Sequence, residues 1–179
     1  MADFHQNGNI ATLHNLRTRS LDEMTYELET FAQTRKMALI LPCLYSELET
    51  EAMPRILAEL SKVTYLHRII IGLDRADEAQ FRHAKEFFKG LNQNHIVIWN
   101  DSPRMLALGA QLKDMGLAPA EQGKGKNVWS SLGYLIACQD SAVMAIHDCD
   151  IVTYTNDLLA RLIYPCLLYT SDAADEEDS

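Results

Sequence analysis

The hydrophobic positions of this chain change period along its length. Between residues 21 and 165, short unbroken apolar runs alternate with segments whose apolar residues recur every three or four positions. The first periodic segment, LDEMTYELETFAQ, carries Leu21, Met24, Leu28 and Phe31 on one stripe. Ser20 precedes it and Glu23 follows three positions later, the pairing that caps a helix start. MALILPC (37–43) is wholly apolar and is closed by Pro42, which suits a strand buried on both faces of a parallel sheet. ELETEAMPRILAELSK (47–62) has helical spacing, and Pro54 either kinks it or marks its true first turn.

The alternation continues. YLHRIIIGLD (65–74), NHIVIWND (94–101) and SAVMAIHDCD (141–150) read as three more strands. Between them, DEAQFRHAKEFFKG (77–90) turns Phe81, Ala84, Phe87 and Phe88 inward and stops at Gly90. PRMLALGAQLKDMG (103–116) is bounded by Pro103 and Gly116. NVWSSLGYLIACQD (127–140) predicts a buried face of Val128, Trp129, Leu132, Leu135 and Ile136, and NDLLARLIYP (156–165) runs from an Asn156 cap to Pro165. Four strand–helix units predict an α/β layered fold with a mostly parallel sheet. In such sheets ligands gather beyond the carboxyl ends of the strands. Here those ends are Pro42 to Tyr45, Gly72 to Asp74, Asn100–Asp101 and His147 to Asp150.

Composition narrows the class. The chain has 179 residues, 47% hydrophobic and 23% charged, which suits one globular domain. The net charge of −9 is concentrated: Asp172, Asp175, Glu176, Glu177 and Asp178 supply five negative charges, and the balance without them is −4. No basic groove with interleaved aromatics suggests a nucleic-acid surface. No apolar stretch reaches the length of a membrane span, and residues 1–15 lack the pattern of a secretory signal, so the cytoplasm is the expected location. Cys43, Cys138, Cys149 and Cys166 form no CxxC pair and read as small buried thiols rather than disulfides or zinc ligands.

Two stretches carry chemistry. In an extended segment residues two apart point the same way, so Asp148 and Asp150 can face one ligand while Cys149 faces inward. Paired carboxylates with substrate phosphates suit Mg2+ or Mn2+, although the same acids also serve to start a loop. The GKGK loop (123–126) places Lys124 and Lys126 before a helix N-terminus, a favourable place for anions. It lacks Walker spacing, and no GxGxxG occurs, which weighs against a dinucleotide dehydrogenase; a plain solvated loop is the alternative. After the first strand, Tyr45 is positioned to stack on a base, and Glu47 either accepts from base or ribose hydroxyls or caps the following helix. Asp74 ends the second strand as a candidate base or ribose contact, and Asp77 reads as a helix cap.

Taken in order, ALILPCLYSELE, IIIGLDRAD, GKGKNVW and AIHDCDI resemble the nucleotide-sugar glycosyltransferases of the GT-A fold, most closely the glucosyl- and mannosyl-3-phosphoglycerate synthase-like branch. The resemblance implies a GT-A three-layer sandwich with a mostly parallel sheet, represented here incompletely. It implies Pro42, Leu44, Glu47 and Asp74 around the nucleobase and ribose, Lys124 near the nucleotide, and Asp148 and Asp150 as the DxD-type metal motif. It implies hexose transfer from a UDP- or GDP-sugar to a small phosphorylated acceptor such as 3-phosphoglycerate, with retention of configuration. On this reading residues 1–35 are a leader and helix, 36–165 the nucleotide-sugar-binding half, and 166–179 an acidic, non-native or disordered tail. The tail segment CLLYTSDAADE resembles translated sequencing-adapter read-through, so native sequence is expected to stop near Pro165, before the acceptor-binding elements of the family. The competing reading is a non-catalytic nucleotide-binding or interaction domain on the same scaffold.

Overall fold

The computed structural model describes residues 19–119, 121 and 123–177, the last nine of them as backbone only. Of the expected leader, residues 1–18 lie outside the described residues. The elements are α1 (Leu21–Ala32), β1 (Met37–Leu44), a short 3-10 helix (Tyr45–Glu49), α2 (Ala52–Leu60), β2 (Leu66–Asp74), α3 (Glu78–Phe88), β3 (His95–Trp99), α4 (Pro103–Asp114), α5 (Lys124–Cys138), β4 (Val143–Ile146) and α6 (Asn156–Glu177). The four strands are parallel and stand in the order β3-β2-β1-β4.

β1 organises the sheet. It pairs along its whole length with β2 and through Met37–Ile40 with β4. Its alternating side chains feed two layers. Met37, Leu39, Leu41 and Cys43 enter a large core with residues of α1, α2, α3 and α6, while Ala38 and Ile40 meet Leu135 of α5 on the opposite face. The result is helix, sheet and helix in three layers.

Pro42 does not end β1, which runs on to Leu44. The physical reason is which side the missing N–H faces. Ile40 O accepts from His147 N at 3.1 Å, so the even-numbered backbone groups of β1 point toward β4. β4 stops pairing at Ile146, opposite Ile40, and a proline two residues further on forfeits no ladder bond. β4 itself is an edge strand among the described residues, not the inner strand its apolar run suggests. It is also shorter than expected, so the two acids that follow it sit in a turn.

Pro54 marks a first turn: a 3-10 segment occupies Tyr45–Glu49 and α2 begins afresh at Ala52. There the proline lacks an N–H that a helix start leaves unpaired anyway. Of the GKGK residues, Gly123 is the N-cap of α5 and Lys124, Gly125 and Lys126 lie inside its first turn rather than ahead of it. The buried face of α5 is Asn127, Ser131 and Leu135, whereas Ile136 is 71% exposed, so the helix is turned relative to the purely apolar stripe. The rotation docks polar Asn127 and Ser131 over Gly72.

α6 departs furthest from the sequence pattern. A stop at Pro165 is predicted, yet the backbone stays helical to Glu177. An interior proline costs about 3 kcal/mol. Against that, Ala160, Ile163, Tyr164 and Leu167 continue one buried stripe across it, all 2% exposed or less. Tyr164 on this stripe donates its hydroxyl to Glu27 of α1, tying the two helices together.

The approach of α5 to β2 depends on the missing side chain of Gly72. A Cβ there would lie 1.9 Å from Asn127 Oδ1 and 2.7 Å from Ser131 Oγ. Gly72→Ala is therefore expected to lower the unfolding free energy by about 3 kcal/mol. Urea denaturation monitored by circular dichroism checks this, and an unchanged midpoint would contradict the close packing.

Candidate functional site

Parallel strands bring their carboxyl ends to one edge of the sheet, and a cleft of about 530 Å³ opens there. That volume suits a small-molecule ligand of nucleotide size. Pro42, Leu44, Glu47, Asp74, Lys124, Asp148 and Asp150, the residues singled out from the sequence, all line it. Arg75, Asn100, Asp101, Lys126 and Asn127 join them, and α4 contributes Met105, Leu106, Leu108 and Leu112 as an apolar wall.

At the β2 end, Asn100 Nδ2 donates to Asp74 Oδ1 at 2.7 Å. Asn127 Nδ2 donates to Gly72 O at 2.7 Å, which pins the start of α5 over this strand. Burial pushes the Asp74 carboxyl above its ordinary value of 3.8, against the lowering effect of hydrogen bonds from Asn100 and Asn127. Asn100 Oδ1 is buried and has no partner among the described residues. The neighbouring loop is held by Asp101 Oδ2, which accepts from Ala76 N at 3.1 Å.

On the α5 side, Gly123 has φ of 141°, a conformation that a side chain would strain. Among the described residues no side chain caps the helix, and Lys124 and Lys126 of its first turn line the cleft at the positive end of the helix dipole. Lys124 Nζ donates to Asp148 Oδ1. Both partners are about half exposed, so this ion pair contributes little to stability and exchanges readily.

The turn after β4 preserves the alternation expected of an extended segment. His147 and Cys149 are buried, while Asp148 and Asp150 line the cleft. His147 serves the core: its Nδ1 pairs with the Tyr154 hydroxyl at 2.9 Å, and burial pulls its pKa down to about 4. Glu47 lines the cleft and also accepts from Leu44 N at 2.7 Å, capping the 3-10 helix that contains it. Tyr45 is not in the cleft. Its hydroxyl meets His83 Nδ1 at 3.1 Å with the rings edge to face, so it is not available for base stacking there. Asp77 is the N-cap of α3, accepting from Gln80 N at 2.8 Å.

Comparison with known proteins joins this geometry to chemistry. No protein-family model matches the chain. A glucosyl-3-phosphoglycerate synthase of Persephonella marina is 50% identical over 165 residues, which cover 92% of this chain and 41% of that protein. The chain is a homologue of the glucosyl-3-phosphoglycerate synthases. A second synthase of that name, from Methanococcoides burtonii, is 37% identical over 164 residues, 91% of this chain and 40% of its own length. The chain thus spans about two fifths of the length of these curated relatives. The synthases are named for a glycosyl transfer, and the all-parallel α/β sheet is of the GT-A type to which they belong. No helix among the described residues is long and apolar enough to cross a membrane.

Asn127 was not among the residues singled out from the sequence for the site, and Asn100 was marked only as part of a strand end. The available signal was Gly72, a glycine inside an otherwise branched apolar strand, which marks a close approach by another group. The raised Asp74 carboxyl gives a pH test. A carboxyl whose folded pKa lies above its unfolded one contributes most below 3.8 and loses that contribution as pH rises through the folded value. Wild type is therefore expected to lose stability relative to Asp74→Asn as the pH is raised from acid toward neutrality. Denaturation of both proteins across that range measures the difference, and a constant gap would contradict it.

Proposed function

We propose that the cleft binds the nucleotide diphosphate part of a UDP- or GDP-sugar, and that the enzyme containing this segment transfers the glucosyl group to 3-phosphoglycerate. The observation that carries the reading is the convergence of residues marked on four separate strand ends upon one cleft. Homology to synthases named for that product supports the reaction class.

The electrostatics favour a particular order within the cleft. Five carboxylates (Glu47, Asp74, Asp101, Asp148, Asp150) stand against Arg75, Lys124 and Lys126, so an anionic diphosphate binds only where positive charge is concentrated. That place is the first turn of α5, where two lysines coincide with the positive end of the helix dipole. The nucleoside then extends toward Asp74 and Asn100, where the unpartnered Oδ1 accepts from a nucleobase N–H, a donor that uracil and guanine both carry.

Asp148 and Asp150 offer an all-oxygen donor set on the cleft wall, and the Lys124 ammonium already lies against Asp148 as a cation does. That set fits Mg2+ or Mn2+, which is held by one or two carboxylates together with substrate phosphates. When bound, such an ion neutralises the diphosphate and eases its departure as a leaving group. With the two acids so engaged, the Lys124 ammonium, which now lies against Asp148, would be free to reach a phosphate oxygen. Gly123 holds the turn that aims this lysine, and Asn127 fixes the helix that bears it.

Isothermal titration of the chain with UDP-glucose and GDP-glucose, with and without manganese, tests the reading. Binding is expected to require the metal and to be lost in an Asp148→Ala, Asp150→Ala double variant. Lys124→Ala is expected to weaken it about tenfold, the loss of one charge-assisted bond. Metal-independent binding that survives these substitutions would overturn the assignment.

A further inference from the structure

The register of the sheet has a second consequence. β1 and β4 pair with Ile40 opposite Ile146, so three residues further along each chain Cys43 and Cys149 stand side by side. Both thiols are 1% exposed. Glu47, one turn past the end of β1, brings a carboxylate to the same point. The two Sγ atoms and a Glu47 carboxylate oxygen lie within 4.8 Å of one another, and among the described residues this is the one cluster of three or more such ligand atoms.

We propose that Cys43, Cys149 and Glu47 bind a soft divalent cation of the zinc class, at a site separate from the Asp148–Asp150 pair. Zn–S and Zn–O bonds of roughly 2.3 and 2.1 Å set tetrahedral ligands roughly 3.5–3.8 Å apart, so closing on the ion takes a contraction of about 1 Å. Glu47 is already oriented, because Leu44 N holds its Oε2 at 2.7 Å and leaves the other oxygen for a ligand. All three residues line the cleft, which supplies the route for the ion and leaves its fourth position toward solvent. Binding exchanges two thiol protons, released to solvent, for two sulfur–metal bonds.

Ligand chemistry separates the two sites. Thiolates select zinc and cadmium, whereas paired carboxylates select magnesium and manganese. The chain alternates between them at successive residues, with acids 148 and 150 in the cleft wall and thiol 149 turned to its floor. An ion on Cys149 draws in the turn that carries both acids and occupies Glu47, so it opposes donor binding. That consequence rests on the reading above; the ion site does not.

Titration of the full chain with cadmium, followed by the ultraviolet thiolate-to-metal charge-transfer band, is the test. One ion per chain is expected, undisturbed by excess magnesium. The band is expected to persist in a Cys138→Ala, Cys166→Ala variant and in an Asp148→Ala, Asp150→Ala variant. Cys43→Ala and Cys149→Ala are each expected to weaken binding more than about 100-fold. Cadmium-113 resonance on the unaltered chain reads the ligands without any substitution, and a sulfur-ligated shift is expected. A band that survives in both cysteine variants, its loss with the two aspartates, or an all-oxygen cadmium shift would overturn the proposal.

Discussion

The parallel pairing of β1 with a neighbour on each side is the constraint from which the remaining geometry follows. Its register with β2 puts Leu44 opposite Asp74, and its register with β4 carries the turn at 148–150 to the same edge. Because every strand runs the same way, every strand-to-helix connection lies at one end of the sheet. The strand interior excludes water: Met37 through Leu41 and Cys43 are 1% exposed or less. Polar chemistry is thereby pushed to the strand ends, where backbone groups leave the ladder and side chains meet solvent.

The opposite wall is fixed by a polar contact rather than an apolar one. Asn127 reaches Gly72 O across the sheet face, and a glycine with no side chain admits it. This sets how far the first turn of α5 advances over the strand ends, and with it the position of Lys124 and Lys126. The cost of burying an amide is offset by its hydrogen bond to the main chain. The same contact therefore belongs to the stability of the fold and to the aim of the cationic groups.

Much of this was legible from local pattern. The strand runs, the capping box at Ser20, the helix cap at Asp77, and the acids at the ends of the second and fourth strands are short-range signals. Their convergence follows from parallel topology alone. What escaped was either long-range or hidden by a strong local signal. Cys43 and Cys149 are separated by 105 intervening positions, and only the β1–β4 register makes them neighbours. Asn127 is a polar residue on a helix that reads as apolar on a different stripe, because Val128, Trp129 and Ile136 outweigh it in any hydrophobicity pattern. Pro165 suggested an end to α6, although Ala160, Ile163, Tyr164 and Leu167 keep helical spacing through it. Pro42 misled in the same way, since the side to which a missing N–H points is visible only once the sheet order is known.

The central claim is spatial: the acids after β4 and the lysines of α5 address the same diphosphate. A crystal structure of the chain grown with a nucleotide-sugar and manganese, with anomalous scattering recorded for the metal, measures it most directly. The account predicts one manganese peak between the Asp148 and Asp150 carboxylates and the donor's phosphates, with Lys124 Nζ moved onto a phosphate oxygen. Manganese at any other place, or a donor lying outside the cleft between Asp74 and the first turn of α5, would contradict it.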